Sequence, residues 1–164
     1  MRKASLHFLS ALAGLLFASV AGAQTATTTF NVQMTINGQC VINSASNIDF
    51  GANGVINTNV DATGTIIVQC TSGTAYNIGL NAGTGTGATV AQRRMTGPGA
   101  AVINYSLFRD SGHLTLWGNT IGTDTQTGSG NGAAQSLTVY GRVAPQTTPA
   151  PGSYADTVTV TLTY

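Results

Sequence analysis

The chain has 164 residues, of which 7% are charged, with 21 Gly, one Lys and no Glu. A net charge of +1 leaves no electrostatic footprint for nucleic acid or an acidic membrane surface, and 42% apolar content excludes a disordered polymer. Without Glu and Lys, long surface helices lack their usual residues, so the Thr/Gly-rich composition points to one all-β domain.

Met1-Arg2-Lys3 is a short positive start, Ala4 to Val20 is a mostly apolar run, and Ala21-Gly22-Ala23 has the A-x-A cleavage pattern. Residues 1–23 therefore read as a secretory signal peptide. The apolar run is marginal for a membrane anchor, and no later stretch could span a bilayer. Cleavage after Ala23 leaves four Arg against five Asp in Gln24–Tyr164. Both cysteines, Cys40 and Cys70, lie in the exported part, where an oxidising compartment favours one disulfide over two free thiols. Closing a loop of that length is worth roughly 3–4 kcal/mol in the chain-entropy model. A metal site is not expected, because His113 is the one exported His and there is no C-x-x-C pair.

The dominant period in the exported part is two. Phe30, Val32, Met34 and Ile36 alternate with Asn31, Gln33, Thr35 and Asn37. Further runs cover Ile66–Cys70, Tyr76–Leu80, Ile103–Leu107 and Leu137–Val143. The last is the most regular, with Val158, Val160, Leu162 and Tyr164 against Thr157, Thr159, Thr161 and Thr163. Such alternation turns one face to a core and one to water. Turn-rich stretches separate the runs: Gly51–Gly54, Gly83–Gly87, Gly97–Gly99, Gly122–Gly132 and Pro145–Gly152. Short strands at such intervals predict an antiparallel β-sandwich of about seven strands. Strands are expected at both ends of the exported part, without a Lys to blunt a free edge. That suits a subunit joined to others edge to edge.

Landmarks then accumulate in a recognisable order: the alternating strand before Cys40, Ile48-Asp49-Phe50-Gly51, Cys70 at a strand end, and Tyr105-Ser106-Leu107-Phe108-Arg109-Asp110. Trp117-Gly118, Tyr140-Gly141-Arg142-Val143-Ala144-Pro145 and Gly152-Ser153-Tyr154-Ala155-Asp156-Thr157-Val158 follow. Together they resemble the spore coat protein U family, whose best-understood members are subunits of archaic chaperone–usher pili. Asn119 departs from the Trp-Gly-Asp run of many relatives.

The resemblance implies an incomplete immunoglobulin-like sandwich over 39–164 that lacks its final strand, preceded by an N-terminal donor strand in 24–38. It implies a periplasmic pilus chaperone, an outer-membrane usher and neighbouring pilus subunits as partners, and export through the periplasm to the cell surface. The mechanism is β-strand addition, with main-chain hydrogen bonds giving affinity and side-chain pockets giving specificity. The donor residues would be Phe30, Val32, Met34 and Ile36, and Val158–Tyr164 would wall the receiving groove. The implied function is a structural pilus subunit supporting adhesion and biofilm formation. The alternatives are a spore coat or envelope component, and a secreted carbohydrate-binding sandwich.

No enzyme is expected. No G-x-S-x-G surrounds a Ser, and His113 reads as a loop or edge residue near Trp117. Nothing singles out a catalytic pair among Asp49, Asp61, Asp110, Asp124 and Asp156. Asp124–Gly128 lacks the further acids and terminal Glu of a calcium loop and reads as solvated. Arg93-Arg94 reads as exposed or salt-bridged on a strand. No cofactor motif is present: the glycines sit in turns rather than before a helix.

Overall fold

The computed structural model describes residues 22–164. Most of the sequence-predicted signal peptide, including its apolar run, lies outside the described residues. The protein divides at Met34/Thr35 into two units. Residues 22–39 carry no secondary structure and are exposed throughout. The alternating run from Phe30 to Ile36 is thus not a strand in the isolated protein.

The remainder is all-β, in two antiparallel sheets. The strands are β1 (Cys40–Ala45), β2 (Val60–Cys70), β3 (Ala75–Leu80), β4 (Arg93–Thr96), β5 (Val102–Phe108), β6 (Gln126–Ser129), β7 (Ala134–Val143) and β8 (Val160–Thr163). One sheet has the order β1-β2-β7-β5-β4 and the other β6-β3-β8. A single 3-10 turn, Pro98–Ala100, joins β4 to β5.

The period of two explains which residues meet. Ile66 and Val68 on β2, Ile78 and Leu80 on β3, Leu107 on β5 and Val139 on β7 point between the sheets and are buried. Trp117 is fully buried beside them, and its indole N–H donates to the Ile78 carbonyl at 2.8 Å. That bond satisfies the polar end of the largest core side chain. Ile48 and Phe50 strap the inner face where it carries only small residues. A Cβ on Gly64 would stand 2.7 Å from Ile48, and one on Gly141 would stand 3.0 Å from Phe50. The Ile48-Asp49-Phe50-Gly51 landmark is therefore a packing device over a glycine patch.

Three expectations need correction. β6 and its buried neighbour Thr125 fall inside the Gly122–Gly132 stretch that reads as solvated turn. Strands β1 and β4 have too little apolar alternation to stand out. Arg93 is neither exposed nor salt-bridged but wholly buried. Its guanidinium donates to the carbonyls of Asn81 (2.8 Å), Val90 (3.0 Å), Leu80 (2.9 Å) and Trp117 (2.8 Å). The planar fork of donors lets one residue tie β4 to the opposite sheet and the loops.

Candidate functional site

The two margins of the sandwich differ in their main-chain hydrogen bonding. At one margin, Thr96 of β4 and Ala155 exchange main-chain hydrogen bonds of 2.9 and 3.1 Å. Asp156 follows at once. Its carboxylate accepts from the Tyr105 hydroxyl at 2.7 Å, the Thr84 amide at 2.7 Å and hydroxyl at 2.9 Å, and the Thr157 amide at 2.7 Å. Burial pushes the Asp156 carboxyl up, but these donors outweigh burial and hold it below the ordinary range. The Tyr105 phenol is pushed up, first by burial and then by its carboxylate neighbour. Gly83 is required here, because its backbone has φ +84° and a Cβ would overlap the Asp156 carboxylate.

The other margin runs between β1 and β8, each an edge strand; they approach each other without a main-chain ladder. β8 pairs only with β3, in the register Leu80↔Val160, Gly79↔Thr161, Ile78↔Leu162 and Asn77↔Thr163. Its side chains at 160 and 162 therefore lie on the same face as the fully buried Leu80 and Ile78. Yet Val158, Val160 and Leu162 are only half-buried and Tyr164 is 61% exposed. On β1, Ile42 is 38% exposed although it stands opposite Val68, which has no exposure. Main-chain groups alternate with the side chains. Asn81 N–H donates to the Thr159 carbonyl, so the odd-numbered residues face β3. The N–H and C=O groups of Val158, Val160 and Leu162 consequently face the open edge. Inward-pointing aliphatic side chains and unpaired main-chain groups thus share one seam.

Cys40 and Cys70 form a disulfide between β1 and β2 at one end of this seam. Beside the Thr96–Ala155 bridge, a cleft of about 780 Å³ is lined by Ile48, Phe50, Val60, Met95, Ile103 and Tyr154, among others. In the N-terminal segment, Phe30, Val32, Met34 and Ile36 are 84%, 85%, 86% and 68% exposed. The alternation of residues 30–36 made the apolar segment visible in sequence. Ile42 was missed, because Val41-Ile42-Asn43-Ser44 does not alternate and β1 bulges between Ile42 and Ser44.

Among the described residues, the aspartates are held by nearby loop amides or by an ion pair. Asp49 accepts from the Gly51 amide, Asp110 from the Leu114 and Thr115 amides, and Asp124 from the Thr120 amide. These are local loop bonds. Asp61 makes a bidentate pair with Arg142, both bonds 2.7 Å. His113 lies in the loop before Trp117, against Phe108 and Tyr140, with Nε2 3.8 Å from Asp61. Among the described residues, no three His, Cys, Asp or Glu gather as metal ligands, and no helix is long and apolar enough to cross a membrane.

Comparison with known proteins agrees with this architecture. The family model described as Spore Coat Protein U domain matches residues 26–161. "Protein U" of Myxococcus xanthus is 32% identical, over 99% of this chain and 98% of its own length. A similar fold, with TM-score 0.59 and 20% identity over 79% of this protein, occurs in the crystal structure of the CsuC–CsuE chaperone–tip adhesion subunit pre-assembly complex. That complex comes from archaic chaperone–usher Csu pili of Acinetobacter baumannii, and the match covers 41% of the matched polypeptide.

Proposed function

The chain belongs to the Spore Coat Protein U domain family, and we propose that it is a structural subunit of a surface pilus assembled by donor-strand complementation. The observation that supports this reading is the seam: β8 is paired on one side only and keeps its inward-facing aliphatic side chains half in water, the features a further strand would complete.

Strand order supports it. A constant-type immunoglobulin sandwich has strands A-B-E-D in one sheet and C-F-G in the other. Here β1-β2-β7-β5 stands in for A-B-E-D and β3-β8 for C-F, leaving the place of G, beside β8, vacant. The N-terminal segment 24–38, freed by loss of a signal peptide at 1–23, supplies the missing strand to the domain 39–164 of the next subunit. Phe30, Val32, Met34 and Ile36 enter the groove, and Asn31, Gln33 and Thr35 face water. Burying four such side chains is worth roughly 6–12 kcal/mol before ordering costs. A periplasmic chaperone holds the groove first, and an outer-membrane usher catalyses the exchange. The fibre supports adhesion and biofilm formation. A second reading, a coat layer built by the same strand addition, is favoured by the family's description.

Met34→Asp tests the assignment, because it would bury an unpaired charge in the groove. The expected outcome is loss of surface fibres by electron microscopy, with chaperone co-purification intact. Gln33→Asp should be far milder. Loss of chaperone binding in Met34→Asp as severe as the loss of fibres would return this segment to its own domain's core.

A further inference from the structure

The exported part holds three Asn-Gly pairs: Asn37-Gly38, Asn53-Gly54 and Asn131-Gly132. This dipeptide is chemically weak. Glycine has no Cβ to obstruct attack of its own amide nitrogen on the preceding side chain, and it lets the backbone reach the conformation the attack requires. Reaction needs a mobile Asn side chain and a Gly N–H that is free to attack.

Two of the three pairs are protected by different bonds. At Asn53 the side-chain nitrogen donates to the carbonyls of Phe50 at 2.8 Å and Gly51 at 3.3 Å, which holds the amide away from its neighbour. At Asn131 the attacking group is held instead. The Gly132 N–H donates to the Cys70 carbonyl at 3.1 Å, and Asn131 Oδ1 accepts from the Ala133 amide at 2.9 Å. Asn37 differs from both. It and Gly38 are exposed, and among the described residues neither the Asn37 side chain nor the Gly38 N–H has a hydrogen-bond partner. The backbone on either side is anchored, since the Thr71 hydroxyl donates to the Asn37 carbonyl at 3.2 Å and accepts from the Gln39 amide at 3.2 Å.

We propose that Asn37 is the site of spontaneous deamidation in the folded protein, converting to aspartate and isoaspartate at the joint before β1. The Gly38 nitrogen attacks Asn37 Cγ and a new bond forms between them. The Gly38 proton passes to the departing nitrogen, which leaves as ammonia, and a succinimide remains. Water then opens the ring. Cleavage of the new bond gives aspartate, whereas cleavage of the original peptide bond gives isoaspartate, with one extra backbone carbon. No oxidant or reductant is needed.

The product would be the first carboxylate in residues 24–48, a stretch with no charged side chain. Any effect of that charge on assembly rests on the donor-strand reading above, but the conversion itself does not.

The test is incubation of the purified folded protein at mildly alkaline pH, followed by reduction, chymotryptic digestion and mass spectrometry. The three pairs should fall in separate peptides. Asn37 is expected to convert roughly tenfold faster than Asn53 or Asn131, whose protecting hydrogen bonds must first break. In the reduced, denatured protein all three should convert at similar rates, and Asn37→Gln should abolish the fast phase. An Asn37 that stays intact in the folded protein while converting in the denatured one would overturn the proposal. Equal rates at the three sites in the folded protein would do the same. A protein that deamidates at Asn37 yet builds no fibres would break the pilus reading alone.

Discussion

Where β4 meets Ala155, two main-chain hydrogen bonds tie the five-stranded sheet to the segment that leads into β8, and the Arg93 and Asp156 clusters stand behind them. Where β1 faces β8, the described residues show no main-chain pairing, and exposed Ile42 and half-buried Val160 and Leu162 line the margin. The difference is one of completeness. The joined margin satisfies its polar groups within one molecule, whereas the open margin leaves main-chain donors and acceptors beside apolar surface. Free strand edges of that kind recruit further strands.

The largest effect is expected at the joined margin. Arg93→Met keeps much of the volume but strips four carbonyls of their donor. The expected loss is about 3 kcal/mol or more, read from denaturant unfolding. A loss near zero would mean that the guanidinium does not hold the margin.

Asp156 should contribute less and reveal itself through pH. Its carboxyl lies below the ordinary range in the fold, so it stabilises above its unfolded value of about pH 4. That contribution is lost as pH falls through the folded value. Asp156→Asn should therefore cost about 1–2 kcal/mol near neutrality and flatten the decline in acid. An acid limb identical to the parent's would place the sensitivity at another carboxylate.

The smallest effect is expected at the seam of the isolated protein. Leu162→Ala should cost about 1 kcal/mol, because the side chain is already half in water, against about 2–4 kcal/mol for a buried site such as Ile78→Ala. With a peptide of residues 24–38 bound, the Leu162→Ala penalty should grow towards the buried value. A penalty that stays constant would mean that the peptide does not cover β8.

Much of this fold is legible from local pattern, since strict alternation marks Ile66–Cys70, Tyr76–Leu80 and Val158–Leu162 wherever one sheet face is buried. The oxidised Cys40–Cys70 pair could be expected from the cysteine count and the signal pattern before any geometry was known. β4 and β6 escaped because Arg-Arg-Met-Thr and Gln-Thr-Gly-Ser carry no apolar period; long-range pairing and burial made them strands. Arg93 escaped for a related reason. Four carbonyls from distant points in the sequence satisfy it, and no local pattern encodes their convergence. The sequence by itself determined the all-β class and the faces of the strong strands, because side-chain period is a local property of the backbone. Only the tertiary structure decided which margin closes and which stays open, because that depends on which edges meet and on whether an inward-facing residue such as Leu162 finds a neighbour above it.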